Sequence, residues 1–161
     1  MYPKKQTKII EDFYDTDQQS IKLFRLGKLS GPELEKINQE STETLKQIIA
    51  EYGFPFRNVA SEKAYLSAFL ITQHSCDHGF MGKVIEIFLK ANNEQIRRKD
   101  LGYLIDRLRI LKNLPQLYGT QYKKNGDDVQ FLPIEDEANL EKRRADLEMG
   151  SWDDYKKLIR G

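Results

Sequence analysis

The chain's only two histidines stand four residues apart in His74-Ser-Cys-Asp77-His78. On a helix, positions i and i+4 share a face, so this is a spacing that can grip a zinc ion, with Asp77 where an inverted zincin motif carries Glu. A zinc site also needs a third protein ligand and a base, and Gly79 suggests that the helix has ended before His78. Zinc through His74 and His78 is therefore not expected, and no cofactor is assigned. Stepping back from His74 at helical spacing reaches Ile71, Leu70, Ser67 and Leu66, which sets the imidazole at the end of an apolar face. A half-buried imidazole beside a carboxylate has the ingredients of a general acid/base, the carboxylate fixing the tautomer and stabilising the charged form. Asp77 is the nearest such carboxylate in sequence. The structural alternative is a histidine that closes a helix end, bonded to Asp77 or to a terminal carbonyl. Ser67 and Cys76 have nucleophile chemistry but no visible activator, and both read as small buried residues.

Three further groups of residues invite chemistry. At about 100° per residue, Arg107 falls between Tyr103 and Ile110 on one side and Leu101, Leu104, Ile105, Leu108 and Leu111 on the other, inside the apolar arc of its helix. A charge in such a place snorkels outward, meets a carboxylate, or waits for an anionic ligand. Asp106 lies at the edge of the same side, as a neighbour for Arg107 or a site carboxylate. The loop Asn113-Leu-Pro115-Gln116-Leu-Tyr118-Gly119-Thr120-Gln121 is rich in directional hydrogen-bonding groups and poor in charge. Such a loop lines a site or satisfies its own backbone. Arg143 and Arg144 interrupt the stripe Leu140, Leu147, so one of them is expected to point inward, toward Asp136, Asp106 or Asp77.

The elements that must position these residues read as helices. Residues from about Gln6 to Leu29 form one helix, or two separated by the polar patch Asp15–Ser20. Ser30-Gly-Pro32-Glu33 caps the next, with Pro32 in its first turn, and Gly53 ends it. A connection through Phe54-Pro55-Phe56 leads to a helix started by Ser61, apolar nearly all round from Ala64 to Thr72 as a central helix should be. Further helices are expected from Gly79 to Ala91 and, capped by Asn92 or Asn93, through to Leu111. A β-hairpin with Asn125-Gly126 at its turn is expected near residues 121–132, then a helix from Asp136 to about Met149 and a short one capped by Ser151. The fold class is thus mainly α: a single compact helical domain with a small β-hairpin, residues 1–52 packing as an N-terminal helical segment on residues 53–161, which carry the site.

In order along the chain, Gln73-His74-Ser-Cys-Asp77, Leu101-Gly-Tyr-Leu-Ile-Asp106-Arg107, Pro115-Gln116-Leu-Tyr118-Gly119-Thr120-Gln121, Leu132-Pro133-Ile134-Glu135-Asp136 and Arg143-Arg144 resemble a bacterial family of unknown function, number 6624 among such families. The similarity runs from roughly Phe54 to Tyr155, and the N-terminal helices look private to this chain. The resemblance implies a shared site without implying a reaction. Its pattern stresses His74, Asp77, Asp106, Arg107, Gln116, Tyr118, Thr120, Gln121 and Asp136, and omits His78.

Composition bounds the rest. The chain has 161 residues with 26 basic and 25 acidic side chains, and neither half carries a bias of sign. That argues against an extended nucleic-acid footprint. No apolar run is long enough for a membrane span, so no membrane partner is expected. A lone cysteine and the absence of an apolar signal core set a cytoplasmic location as the expectation. The sequence leaves the oligomeric state open. The expected function is a metal-independent hydrolase or transferase acting on a small polar or anionic substrate. His74 would be the acid/base, with Asp77 or Asp106 orienting it, and Arg107, Gln116, Tyr118, Thr120, Gln121 and Arg144 would hold the substrate. The alternative is a non-catalytic binding module, a toxin, immunity or regulatory protein, holding a small-molecule or peptide ligand with the same residues.

Overall fold

Ser30 shows how closely the helix boundaries follow local chemistry. Its hydroxyl accepts from the Glu33 backbone N–H while the Glu33 carboxylate accepts from the Ser30 N–H, a reciprocal cap with Pro32 just inside. The computed structural model describes residues 1–126 and 128–160; Asp127 of the expected hairpin and Gly161 lie outside the described residues. Its elements in chain order are helices α1 (Lys4–Arg25), α2 (Gly31–Tyr52), α3 (Glu62–His74), α4 (His78–Lys90) and α5 (Arg98–Leu111), strands β1 (Tyr122–Asn125) and β2 (Asp128–Phe131), a 3₁₀ turn (Glu137–Asn139), and helices α6 (Leu140–Asp146) and α7 (Trp152–Arg160). The fold is mainly α, with one two-stranded antiparallel hairpin in which Tyr122 faces Phe131 and Asn125 faces Asp128. Gly126 adopts a φ of 60° at the turn, a region glycine enters without cost.

α3 is the central element. Seven of its residues are buried, among them Tyr65, Ala68 and Ile71, and it packs against α1, α2, α4 and α5. Its apolar circumference follows from that position, since each face meets a neighbour. One core joins the parts of the chain: Ile10 of α1 and Leu45 and Ile48 of α2 cluster with Phe54, Tyr65, Phe88, Leu104, Leu147 and Met149. Each such side chain contributes about 1.5–3 kcal/mol when fully buried.

Of the two forms open to the first segment the single helix is the one formed, and two later boundaries differ from expectation. α1 runs unbroken through Asp15–Ser20, because Asp17 and Ser20 of that patch are buried with partners of their own. α5 begins at Arg98, because Asn92 closes a tight turn, its side chain accepting from the N–H groups of Glu94 and Gln95. The helix expected from Asp136 is split: Asp136 takes a left-handed φ of 50°, one 3₁₀ turn follows, and α6 ends at Asp146. Among the described residues no helix is long and apolar enough to cross a membrane.

Candidate functional site

His74 is the last residue of α3, and His78 is the first of α4. Ser75 between them is extended, and its hydroxyl accepts from the Asp77 N–H at 3.0 Å, turning the chain. The two histidines therefore share no helix face, which removes the geometric premise of a zinc pair. Among the described residues, no group of three or more His, Cys, Asp and Glu is placed to hold a metal. Cys76 is exposed and Ser67 is buried, its hydroxyl donating to the Ile10 carbonyl.

The carboxylate that holds His74 comes from α1. Nδ1 of His74 lies 2.7 Å from Oδ1 of Asp17, whose side chain is only 8% exposed against 30% for the imidazole. The other Asp17 oxygen accepts from Gln18. Asp77, the expected orienter, is committed elsewhere. One oxygen caps α4 by accepting from the Phe80 N–H at 2.8 Å, and the other accepts from Lys46 at 2.9 Å. These donors, the Phe80 N–H first, hold its carboxyl below the usual carboxylate range. A helix beginning four residues after His74 needs a cap at that position, and the aspartate supplies it.

Asp106 likewise leaves the list of groups open to a substrate. It is wholly buried and accepts from the N–H groups of Leu117, Tyr118 and Thr120 and from the Thr120 hydroxyl, at 2.7 to 3.2 Å. Burial pushes its carboxyl up, and the same four donors oppose that shift. Gln116, also wholly buried, accepts from the Gln121 N–H and donates to the carbonyls of Gln121 and Leu132, tying the loop to the hairpin. Tyr118 packs on the core, and Thr120 is 3% exposed. Arg144 was expected to hold substrate or meet an aspartate. Instead it is 2% exposed, donates to the carbonyls of Tyr118 and Gly150, and lies over the rings of Trp152 and Tyr155. Arg143 pairs with Asp136 and donates to the Leu117, Glu135 and Asp136 carbonyls. Gly119 is required where it stands: its φ is 73°, and a Cβ there would sit 2.6 Å from the Trp152 ring. The polar loop is thus mostly a self-satisfied structure, anchored to α5 by Asp106 and to α6 and α7 by the arginines.

What remains open to solvent is smaller and more specific. Arg107 is half-buried and, among the described residues, its guanidinium has no hydrogen-bond or ion-pair partner. It borders two clefts, and His74 borders the same two. One, of about 550 Å³, lies between α2 and the α3–α4 connection and is also lined by Asn38, Gln39, Thr42 and Cys76. The other, of about 540 Å³, lies between the ends of α3, α5 and α7 and the hairpin, and includes Tyr103, Gln121, Tyr122 and Tyr155. Of the residues singled out in the sequence, the structure brings His74, Arg107, Thr120 and Gln121 to one cleft. Asp77 stands at the edge of the other, and Asp106, Gln116 and Arg144 stand behind the wall.

Asp17, Asn38 and the tyrosines were missed by the sequence reading. A signal existed for the first two. Asp17 stands in helical register with Ile10, Phe13, Ile21 and Phe24, and Asn38 and Thr42 stand in register with Leu34 and Leu45. Polar residues on an inward stripe need partners, which is where α1 meets His74.

Fold and site together define a mainly-α protein in which a carboxylate-held histidine and an arginine unpaired among the described residues face common open space. The model of a family of unknown function, DUF6624, matches residues 30–161, and the chain belongs to that family. The match begins at the α2 cap, so α2 is shared with the family and not private as expected; α1, with Asp17, precedes it. No curated protein and no solved structure matches the chain.

Proposed function

We propose that this protein is a metal-independent hydrolase or transferase of the cytoplasm, in which His74 is the general acid/base and Arg107 clamps the anionic group of a small substrate. One observation carries the reading: His74 is bonded through Nδ1 to a buried carboxylate while its ring and the unpaired Arg107 border the same clefts. With the Nδ1 proton donated to Asp17, Nε2 of the neutral ring carries the lone pair. It takes the proton of an attacking water or hydroxyl, Asp17 stabilises the imidazolium so formed, and the leaving group receives the proton afterwards. A planar guanidinium whose charge no carboxylate among the described residues neutralises suits a bidentate anion. Gln121, its amide nitrogen bonded to Thr120, presents its carbonyl oxygen as a positioning group. A lone exposed thiol, Cys76, accords with a reducing compartment.

The test is turnover of small chromogenic phosphate and carboxylate esters by the wild type, His74→Ala, Arg107→Gln and Asp17→Asn, with circular dichroism as the check on folding. His74→Ala should lose roughly 10²–10⁴-fold in kcat, the usual share of an acid/base. Arg107→Gln should act mainly on KM, and Asp17→Asn on kcat. Turnover that survives His74→Ala overturns the reading. A wild type that binds anions through Arg107 without turning any over is the non-catalytic binding module instead.

A further inference from the structure

We propose that the ligand of this site carries a planar ring beside its anionic group, as an aryl phosphate or a nucleoside monophosphate does, and that the ring sits in the cleft bounded by α5, α7 and the hairpin. The inference rests on the anion-clamp reading and specifies its ligand. The two clefts that meet at His74 and Arg107 differ in chemistry. On the α2 side the walls are carboxamides and carboxylates, Asn38 and Gln39 with Glu35 and Glu43. The other side presents Tyr103, Tyr122, Tyr155, Leu158 and Ile159. An anion held by Arg107 is repelled by the glutamates, while an uncharged apolar end gains nothing from the amides and much from the tyrosines.

The tyrosine floor is already fixed in place. Tyr103 meets Tyr155 edge to face at 6.4 Å between centroids, and Tyr155 stacks on Trp152 at 6.0 Å. The Tyr155 hydroxyl donates to the Thr120 carbonyl at 3.2 Å, so its ring does not have to be ordered when a ligand arrives. At the mouth, Tyr122 is 38% exposed against Phe131, and Leu158 is 75% exposed. A single exposed leucine carries no message. Here it flanks an aromatic cleft that ends at an arginine no carboxylate among the described residues neutralises, and aromatic side chains accept a ring by its face more readily than they accept a flexible chain.

Titration calorimetry of the full chain with inorganic phosphate, phenyl phosphate and adenosine 5′-monophosphate tests the placement. Both ring-bearing phosphates should bind at least about fivefold more tightly than phosphate, the low end of stacking on one aromatic side chain. Tyr122→Ala and, separately, Leu158→Ser should cut that ratio to within about twofold. Both side chains face solvent enough for the fold to survive their loss, which circular dichroism checks. Arg107→Gln should weaken all three ligands. If phosphate binds through Arg107 and the ring phosphates bind no tighter, the ring placement is overturned while the anion clamp stands. A ratio that neither surface variant changes also overturns the placement. No binding of any of the three to the wild type overturns the clamp, and the ring with it.

Discussion

Asp106 and Arg107 are adjacent, and their side chains do opposite things. The 100° step between neighbours on α5 turns the aspartate toward the loop and leaves the arginine at the clefts. Chain neighbourhood made both look like site residues; the direction of each depended on what the loop after α5 would do, which no periodicity encodes. Arg144 repeats the lesson. A charge inside an apolar stripe had to be paired, but the partners are backbone carbonyls and aromatic faces and not a carboxylate or a ligand. Burial lowers its pKa from the ordinary arginine value without giving it a ligand's access. Replacing Asp106 by alanine orphans three backbone N–H groups in the interior, at a cost of about 3–5 kcal/mol. Urea denaturation should register that loss, and amide exchange should show Leu117 to Thr120 unprotected before the rest of the chain. A loss below about 1 kcal/mol would mean that the loop finds other acceptors.

Helix ends were legible wherever a short-range cap set them: Ser30, Ser61 and Ser151 each accept from the backbone three residues on. The break between α3 and α4, expected from Gly79, is set by bonds of the same short range. The spacing of His74 and His78 suits one helix, yet two consecutive local bonds, from the Asp77 N–H to Ser75 and from the Phe80 N–H to Asp77, end one helix and start the next. Asp77→Ala should cost about 1 kcal/mol at neutral pH, the value of an N-cap. The sign with pH follows from its lowered pKa. A carboxyl held below its unfolded value stabilises the fold above the ordinary carboxylate pKa, and that contribution disappears as pH falls through the folded value. The gap between wild type and Asp77→Ala, measured by denaturation from pH 7 down to about pH 3, should therefore narrow below about pH 4. A gap that widens on acidification would show that the carboxylate is strained in place and not stabilised there.

At the scale of the molecule, fold class was readable because each helix declares itself within a few turns, and the candidate site was not, because its central bond spans the chain. His74 and Asp17 are 57 residues apart, and the aspartate comes from a helix that the family match does not reach. That helix is nonetheless part of the core. Ile10 is fully buried, Tyr2 is 6% exposed with its hydroxyl on the Gly53 carbonyl, and Ser67 of the central helix bonds the Ile10 carbonyl. Two buried side chains at about 1.5–3 kcal/mol each, with Ile9 and Phe13 partly buried beside them, approach the 5–15 kcal/mol that holds an ordinary domain together. Removing residues 1–29 should thus do more than trim a family domain to its matched length. The shortened chain should lose at least about 10 °C in Tm, or its cooperative transition altogether, and bind a hydrophobic dye through the uncovered face of α3. If it melts cooperatively within about 5 °C of the full chain, α1 is an appendage. His74 then lacks its carboxylate in a folded protein, and under the proposed acid/base role that variant's kcat measures what Asp17 contributes.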